Sequence, residues 1–396
     1  PSFATLFSGL YPESHTAVSK TAALPDSVVT FPELLQDSGY FTKGFANNPN
    51  ITASFNFDEG FTSYVDLKPD RHFGATESAS RLSLYEVLRR VREKVYSLLS
   101  RKVLVTDFYQ PGETVTRLAL DWLDSPERPP NAALFLFLHY METHDPFMDW
   151  EHPGVGYARV RMAHPDPQEY LEPMKRAYIS ELEYLDRHLG TLLDGLRGRG
   201  LYEDALIVFV SDHGEEVYDH GGWWHGPTLY EELIRIPLLI KLPKNRLAGT
   251  HNRSFARHID IAPTLLSFAS IQKPQAMPGQ ALVSPDGNFG NGKTTYVYAE
   301  NDFEGIRLQA ARSRTAKVIL ANQGNWRHLA PVEFYDLTQD RGETSNVAEH
   351  NDPRERQLQQ VIEGMQAYIR KHTSQPTLVE EIPPELKQQL EALGYF

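Results

Sequence analysis

Three segments in fixed order constrain this chain most: an apolar run at residues 132–139 (AALFLFLH), an amphipathic stretch at about 170–198, and a second apolar run at 205–210 (ALIVFV). Each run is short and uniformly apolar, which suits a strand buried on both faces. In the stretch between them, Tyr178, Ile179, Leu182, Leu185, Leu189, Leu192, Leu193 and Leu196 recur at helical spacing. Strand, helix, strand is the right-handed crossover from which parallel α/β sheets are built. A third run, 234–242 (IRIPLLIKL), is expected as a further parallel strand, and helices are expected at 31–38, stopped by Gly39, and at 259–270. After about Pro274 short strands (295–299, 316–320) alternate with Gly, Asn and Asp turns, and a polar helix is expected at about 353–371. The expected fold is therefore α/β: a large mixed, mainly parallel sheet between helices over 1–274, and a smaller α+β subdomain over 275–396. Residues of about 66–112, with mixed charge and weak periodicity, read as a helical insertion.

Composition narrows the function. The 39 Lys and Arg against 52 Asp and Glu leave a net charge of −13, which argues against nucleic acid or an anionic membrane as partner. An anionic small substrate stays open, because a bound metal ion reverses the local field. With no cysteine, disulfides and thiolate metal sites are excluded. No apolar run approaches the roughly 20 residues of a membrane span. The first residue is Pro1, so no targeting segment can be read.

The segment richest in chemistry is 207–237, IVFVSDHGEEVYDHGGWWHGPTLYEELIRIP. Ligands of open α/β sheets sit at the carboxyl ends of strands, and Asp212 and His213 emerge at such an end. A carboxylate and a neutral imidazole are both common metal donors. Gly214 is expected to allow a sharp backbone turn beside the ion. Alone, Asp-His-Gly is equally a strand-end turn with an Asx cap. In 137–147, FLHYMETHDPF, a buried strand ends at His139 and His144 follows in a His-Asp-Pro turn. Asp219, His220, Trp223 and Trp224 stand in the loop between and are expected either to shape a pocket or to face solvent.

These segments resemble the sulfatase family of the alkaline phosphatase superfamily. Its S-D-H/N-G-E, then Lys or His before Gly, then L-Y-E-E-x-x-R-x-P-L is matched from Ser211 through His225-Gly226 to Pro237. Residues 1–15, PSFATLFSGLYPESH, resemble the signature C/S-x-P-S-R-x-x-L-x-T-G-x-Y-P through Pro1, Ser2, Leu6, Gly9, Tyr11 and Pro12. The runs 258–266 (HIDIAPTLL) and 334–337 (FYDL) and the late Leu393-Gly394-Tyr395 resemble further family landmarks, treated as scaffold. The resemblance implies an alkaline phosphatase-like three-layer sandwich and a metal-dependent hydrolase of sulfate esters, acting on a small-molecule or glycan ester. It implies one divalent ion held by Asp212 and His213, calcium in the first place with magnesium, manganese or zinc as alternatives. His144 and His225 would be the catalytic histidines, holding ester oxygens or protonating the leaving group, while His139 supports its strand.

Two departures bear on the chemistry. Phe3 replaces the family's Arg, which makes an oxidised-Cys nucleophile less secure and admits Ser or Thr. In 39–49, GYFTKGFANNP, Asn47 stands in the register of a sulfate-gripping Lys and Pro49 in that of a His, so Asn47 and Asn48 are the substrate-binding candidates. The nucleophile is expected two residues before Pro1, with the upstream strand that supplies two more carboxylates. Residues 1–396 alone are therefore expected to bind metal weakly and turn over nothing. Phosphodiester or phosphonate hydrolysis, or phospho-group transfer, is the second reading, and a non-catalytic binding member the third. A periplasmic or extracellular location follows from the resemblance alone, and oligomeric state is not indicated.

Overall fold

The computed structural model describes residues 1–69, 87–88, 91, 105–152, 155–290, 292, 294–348, 351–379, 382–393 and 395. Most of the expected insertion at about 66–112 lies outside the described residues. Phe41–Ala46 is the middle of a parallel trio, flanked by Ser63–Asp66 and Leu134–Leu138. Alternation sorts its side chains into two layers. Phe135 and Phe137 face a core built from Phe7, Phe31, Phe57 and Phe61, with Leu386 and Leu390 of the late helix Pro384–Ala392. Leu134, Leu136 and Leu138 face Ala119, Trp122, Leu123 and Leu192, from helices Gly112–Leu123 and Pro167–Gly198. Helices thus cover both faces of the sheet, the α/β sandwich that the apolar runs implied. The helix Phe31–Asp37 opens on a complete capping box between Thr30 and Glu33.

Two expectations need correction. The third run does not make a parallel strand: Glu231–Ile234 is a helical turn, and Leu238–Lys241 pairs antiparallel with Ile207–Val210. The loop 211–237 stays at the carboxyl end of Ile207–Val210, so the chain must run back from there rather than re-enter at the other end. Nor are the two strands of the crossover hydrogen-bonded neighbours among the described residues, although Val208 and Val210 face the same core as Phe135 and Phe137. In the crossover helix, Met174, Ala177, Tyr184, Leu185 and Leu192 are buried. Ile179 and Leu182, counted on the apolar face from spacing, are about half exposed, at 54% and 46%.

The later part is a four-stranded antiparallel meander, Val297–Phe303, Ile306–Arg312, Ala316–Ala321 and Val332–Asp336. One face receives Leu358, Ile362 and Ile369 of the helix Pro353–Lys371. The other receives Leu229 and Tyr230, just ahead of the strand that returns from the loop. The chain then goes back: Thr377–Leu378 pairs with Ala22–Ala23.

A buried ion cluster fastens the meander to that returning segment. Lys317, 0% exposed, lies 2.7 Å from Glu343 and 3.4 Å from Glu231, and Arg312 holds Glu231 at 2.8 Å. Removing one partner of such a cluster strands a charge in low dielectric. Lys317→Met is expected to cost about 3–5 kcal/mol, read as a lower urea midpoint, with most of the loss recovered in Lys317→Met/Glu343→Leu.

Candidate active site

The site is built at the end of Ile207–Val210. Ser211 Oγ donates to the His213 carbonyl at 2.6 Å, and the His213 amide donates to Asp212 Oδ1 at 3.0 Å. Together they fold the strand end so that Asp212 and His213 stand at one place. Gly214 serves a different purpose from the one expected. Its amide donates to the Leu233 carbonyl at 2.8 Å, and a Cβ there would lie 1.9 Å from the Glu232 carbonyl oxygen. The residue is small because the returning turn rests directly on it, and its φ is not in the left-handed region.

Three imidazoles converge beside Asp212. The ring of His225 is 4.3 Å from that of His213 and 4.9 Å from that of His144, and Asp212 Oδ2 is 3.4 Å from His213 Nε2. Each ring has its other nitrogen fixed by an acceptor. His213 Nδ1 meets the Gly214 carbonyl at 2.9 Å, His144 Nδ1 the Asp145 carbonyl at 2.7 Å, and His225 Nδ1 the Glu215 carboxylate at 2.7 Å. A nitrogen facing a backbone carbonyl must carry a proton, so Nδ1 is the protonated nitrogen of the neutral His144 ring and also carries a proton in His213. Burial pushes His144 down and His225 well down from the ordinary imidazole range, the latter helped by His213 and Arg159. Burial alone would raise the Asp212 carboxyl, but His213, His139, His144 and His258 together hold it below its usual value. Glu215 is driven well up by burial.

The structure thus brings together Asp212, His213, His144 and His225, and adds Glu215 to them. Donor atoms of His213, Glu215 and His225 all lie within 4.8 Å of one another, and Glu215 Oε2 is buried without a hydrogen-bond partner. That set suits a divalent ion. Glu215 was visible in the S-D-H-G-E segment, but nothing local says that it folds back onto His225, ten residues on.

Asn47 does not join them. It is 1% exposed, its amide donates to the Gln110 carbonyl at 2.6 Å, and its oxygen accepts from the Gln110 amide at 3.0 Å. Both ends are spent clamping a backbone, which leaves nothing for a substrate. Asn48 does line the cavity, a space of about 830 Å³ shared with Pro1, Phe3, Asp212, His213, His225 and Tyr395. Phe3 packs edge-on against His139, with centroids 4.8 Å apart. Burial lowers His139 to about 4, so its neutral ring works as packing at the strand end.

Of the loop residues, Trp223 and Trp224 are buried in a core with Phe147 and Met174 rather than facing substrate. His220 is a clasp. It stacks on Tyr230 at 3.8 Å, and its two nitrogens meet Glu232 at 2.6 Å and the Glu343 carbonyl at 3.1 Å. Burial alone would lower it, but these acceptors raise it to about 9. The folded value lies above the unfolded one of about 6.5, so the stability it supplies is complete below about pH 6.5 and lost as pH rises through about 9. His220→Gln should therefore lower the urea midpoint at about pH 6 and converge on wild type by about pH 10.

Comparison with known proteins places the chain in a family. The sulfatase family profile matches residues 1–271, and the profile for the C-terminal part of N-sulphoglucosamine sulphohydrolase matches 219–375. The chain is 25% identical to a multifunctional alkaline phosphatase superfamily protein, PehA, of Trinickia caryophylli, over 88% of this chain and 80% of that protein. It is also 25% identical to a choline-sulfatase of Rhizobium meliloti, over 88% and 73% respectively. Among solved structures, a protein in complex with its substrate D-glucosamine-2-N,6-O-disulfate superposes with a TM-score of 0.67 at 17% identity, covering 96% of this chain and 90% of that one.

Proposed function

The chain belongs to the sulfatase family, and on that premise we propose that it hydrolyses sulfate esters at the cluster of Asp212, His213, Glu215, His225 and His144. The observation that carries this reading is the convergence of the His213, His225 and His144 rings at the strand end that bears Asp212. A cluster of imidazoles and acids, on a chain of net charge −13, would receive an anionic ester more readily with a cation bound to it. His213, Glu215 and His225 would hold a divalent ion, with Asp212 beside His213. Bound there, such an ion supplies Lewis-acid polarisation of the ester oxygens. Calcium prefers oxygen donors, whereas two imidazoles favour zinc, and the donor set here supports zinc ahead of calcium.

This chain's own residues supply the rest. His144, held through Nδ1 by the Asp145 carbonyl, presents Nε2 as a hydrogen-bond acceptor beside His225. Asn48 lines the same cavity and offers a neutral donor. Pro1 shares the cavity with Asp212. The substrate class supported is a small-molecule or glycan sulfate ester. Phe3 in the Arg position, and an Asn47 turned away from the site, favour phosphodiester or phosphonate ester hydrolysis as the second reading.

In the intact protein, Asp212→Ala is expected to reduce metal-dependent cleavage of an aryl sulfate to background and to lower bound metal in elemental analysis. Retention of both would remove Asp212 from the site. An aryl phosphodiester assayed in parallel decides between the two readings by the larger kcat/KM.

A further inference from the structure

Tyr395 comes to the site from far along the chain. Its amide closes the helix Pro384–Ala392 by donating to the Leu390 carbonyl at 2.8 Å, and that helix is anchored in the main core through Leu386 and Leu390. The ring of Tyr395 packs against two apolar clusters, a place that a phenylalanine would fill without the cost of burying a hydroxyl. The hydroxyl is nevertheless there, and both its partners are site residues: it lies 2.8 Å from His144 Nε2, and it is hydrogen-bonded to the Asn48 side chain. Since Nδ1 of His144 carries the ring's proton, the phenol donates and Nε2 accepts. The same side chain lines the cavity that holds Asp212, His213 and His225.

We propose that Tyr395 is an active-site residue whose phenol occupies the ester-facing nitrogen of His144 in the ligand-free protein and turns its O–H to an ester oxygen when substrate enters. This extends the hydrolase reading above and rests on it. A phenol has one proton and two lone pairs. It can therefore keep the Asn48 contact while the proton passes from service to the imidazole to service to an oxyanion, with no covalent bond made or broken. Burial supports the assignment, since it raises the Tyr395 phenol and keeps it a donor through the neutral range. A charge-assisted bond of this kind is also among the stronger single contacts a neutral side chain can give.

Tyr395→Phe in the intact protein is the deciding variant, because it keeps the packing and removes only the hydroxyl. Binding of inorganic sulfate, measured by calorimetry, should weaken about 10-fold or more. On the aryl ester that the wild type cleaves, kcat/KM should fall about 10- to 100-fold. Nitrogen NMR of 15N-histidine-labelled protein, with His144→Gln to assign the signal, should show the Nδ1–H form of His144 in wild type and a mixture in the variant. Sulfate affinity and kcat/KM both within twofold of wild type would make Tyr395 a packing residue and overturn the proposal. Absence of ester cleavage by wild type would overturn the hydrolase reading instead, while the sulfate and NMR results would still decide the role of Tyr395.

Discussion

The site hangs on one close backbone contact, that of Gly214 with the peptide linking Glu232 and Leu233. The carbonyl of Glu232 stands where a Cβ would be, and the Leu233 carbonyl takes the Gly214 amide. This locks the exit of one strand to the turn that begins the next, so the loop between them must close on itself and carry Asp212, His213, Glu215 and His225 into one place. The same turn bears Glu231 and Glu232. Glu231 is held by Arg312 and Lys317 of the meander, and Glu232 by His220 of the loop. A displacement of that turn would move these residues and the joint to the later sheet together. Gly226 adds a second restriction of the same sort, at φ +108° with the Phe303 ring 2.8 Å from where a Cβ would lie.

Where sequence and structure agree, a local signal was strong enough to survive tertiary context. Apolar runs of four to nine residues announced their strands, and Thr30 with Glu33 announced a helix start. Asp212 and His213 were legible because a strand end followed by donor residues is a local pattern, and His144 and His225 because their neighbours matched a family of such patterns. Strand direction was not legible. Residues 238–241 look the same whether they run up or down, and the length and path of the loop decide between the two. Exposure of Ile179 and Leu182 was also beyond the periodicity, since a 32-residue helix does not keep one face buried along its whole length. Asn47 and Glu215 failed in opposite directions for one reason. Each is a polar group whose partner, the Gln110 backbone in one case and His225 in the other, is chosen by the fold.

The electrostatics follow from the placement of acceptors rather than from the net charge. Each of the three rings is set by an acceptor close in the chain: the next residue's carbonyl for His144 and His213, and a carboxylate ten residues back for His225. An imidazole whose Nδ1 is so engaged has only Nε2 left to offer, which is also the tautomer that a metal or an ester oxygen requires. Burial then lowers His144 and His225, so they stay neutral at a site where positive charge would otherwise help an anionic substrate. Arg159 does not supply that charge to the cavity directly: its amide holds the Asp145 carboxylate and its guanidinium the His225 carbonyl. The cations that line the cavity, Lys20, Arg257 and Arg312, are each paired with a carboxylate, so an ion bound at the imidazoles would add the positive charge that they do not bring.

That reasoning also explains why a hydroxyl belongs beside His144. A neutral, unprotonated Nε2 in a buried cavity is an acceptor that loses solvation on folding, at a cost of about 1–3 kcal/mol if left without a donor. For His213 and His225 a bound cation would satisfy it. For His144, 4.9 Å from His225 by ring centroid, the donor is the phenol of Tyr395. Substrate arrival must replace or redirect that bond. The segment carrying Tyr395 is thereby coupled to whether the cavity is filled, through a single proton that cannot face two acceptors at once.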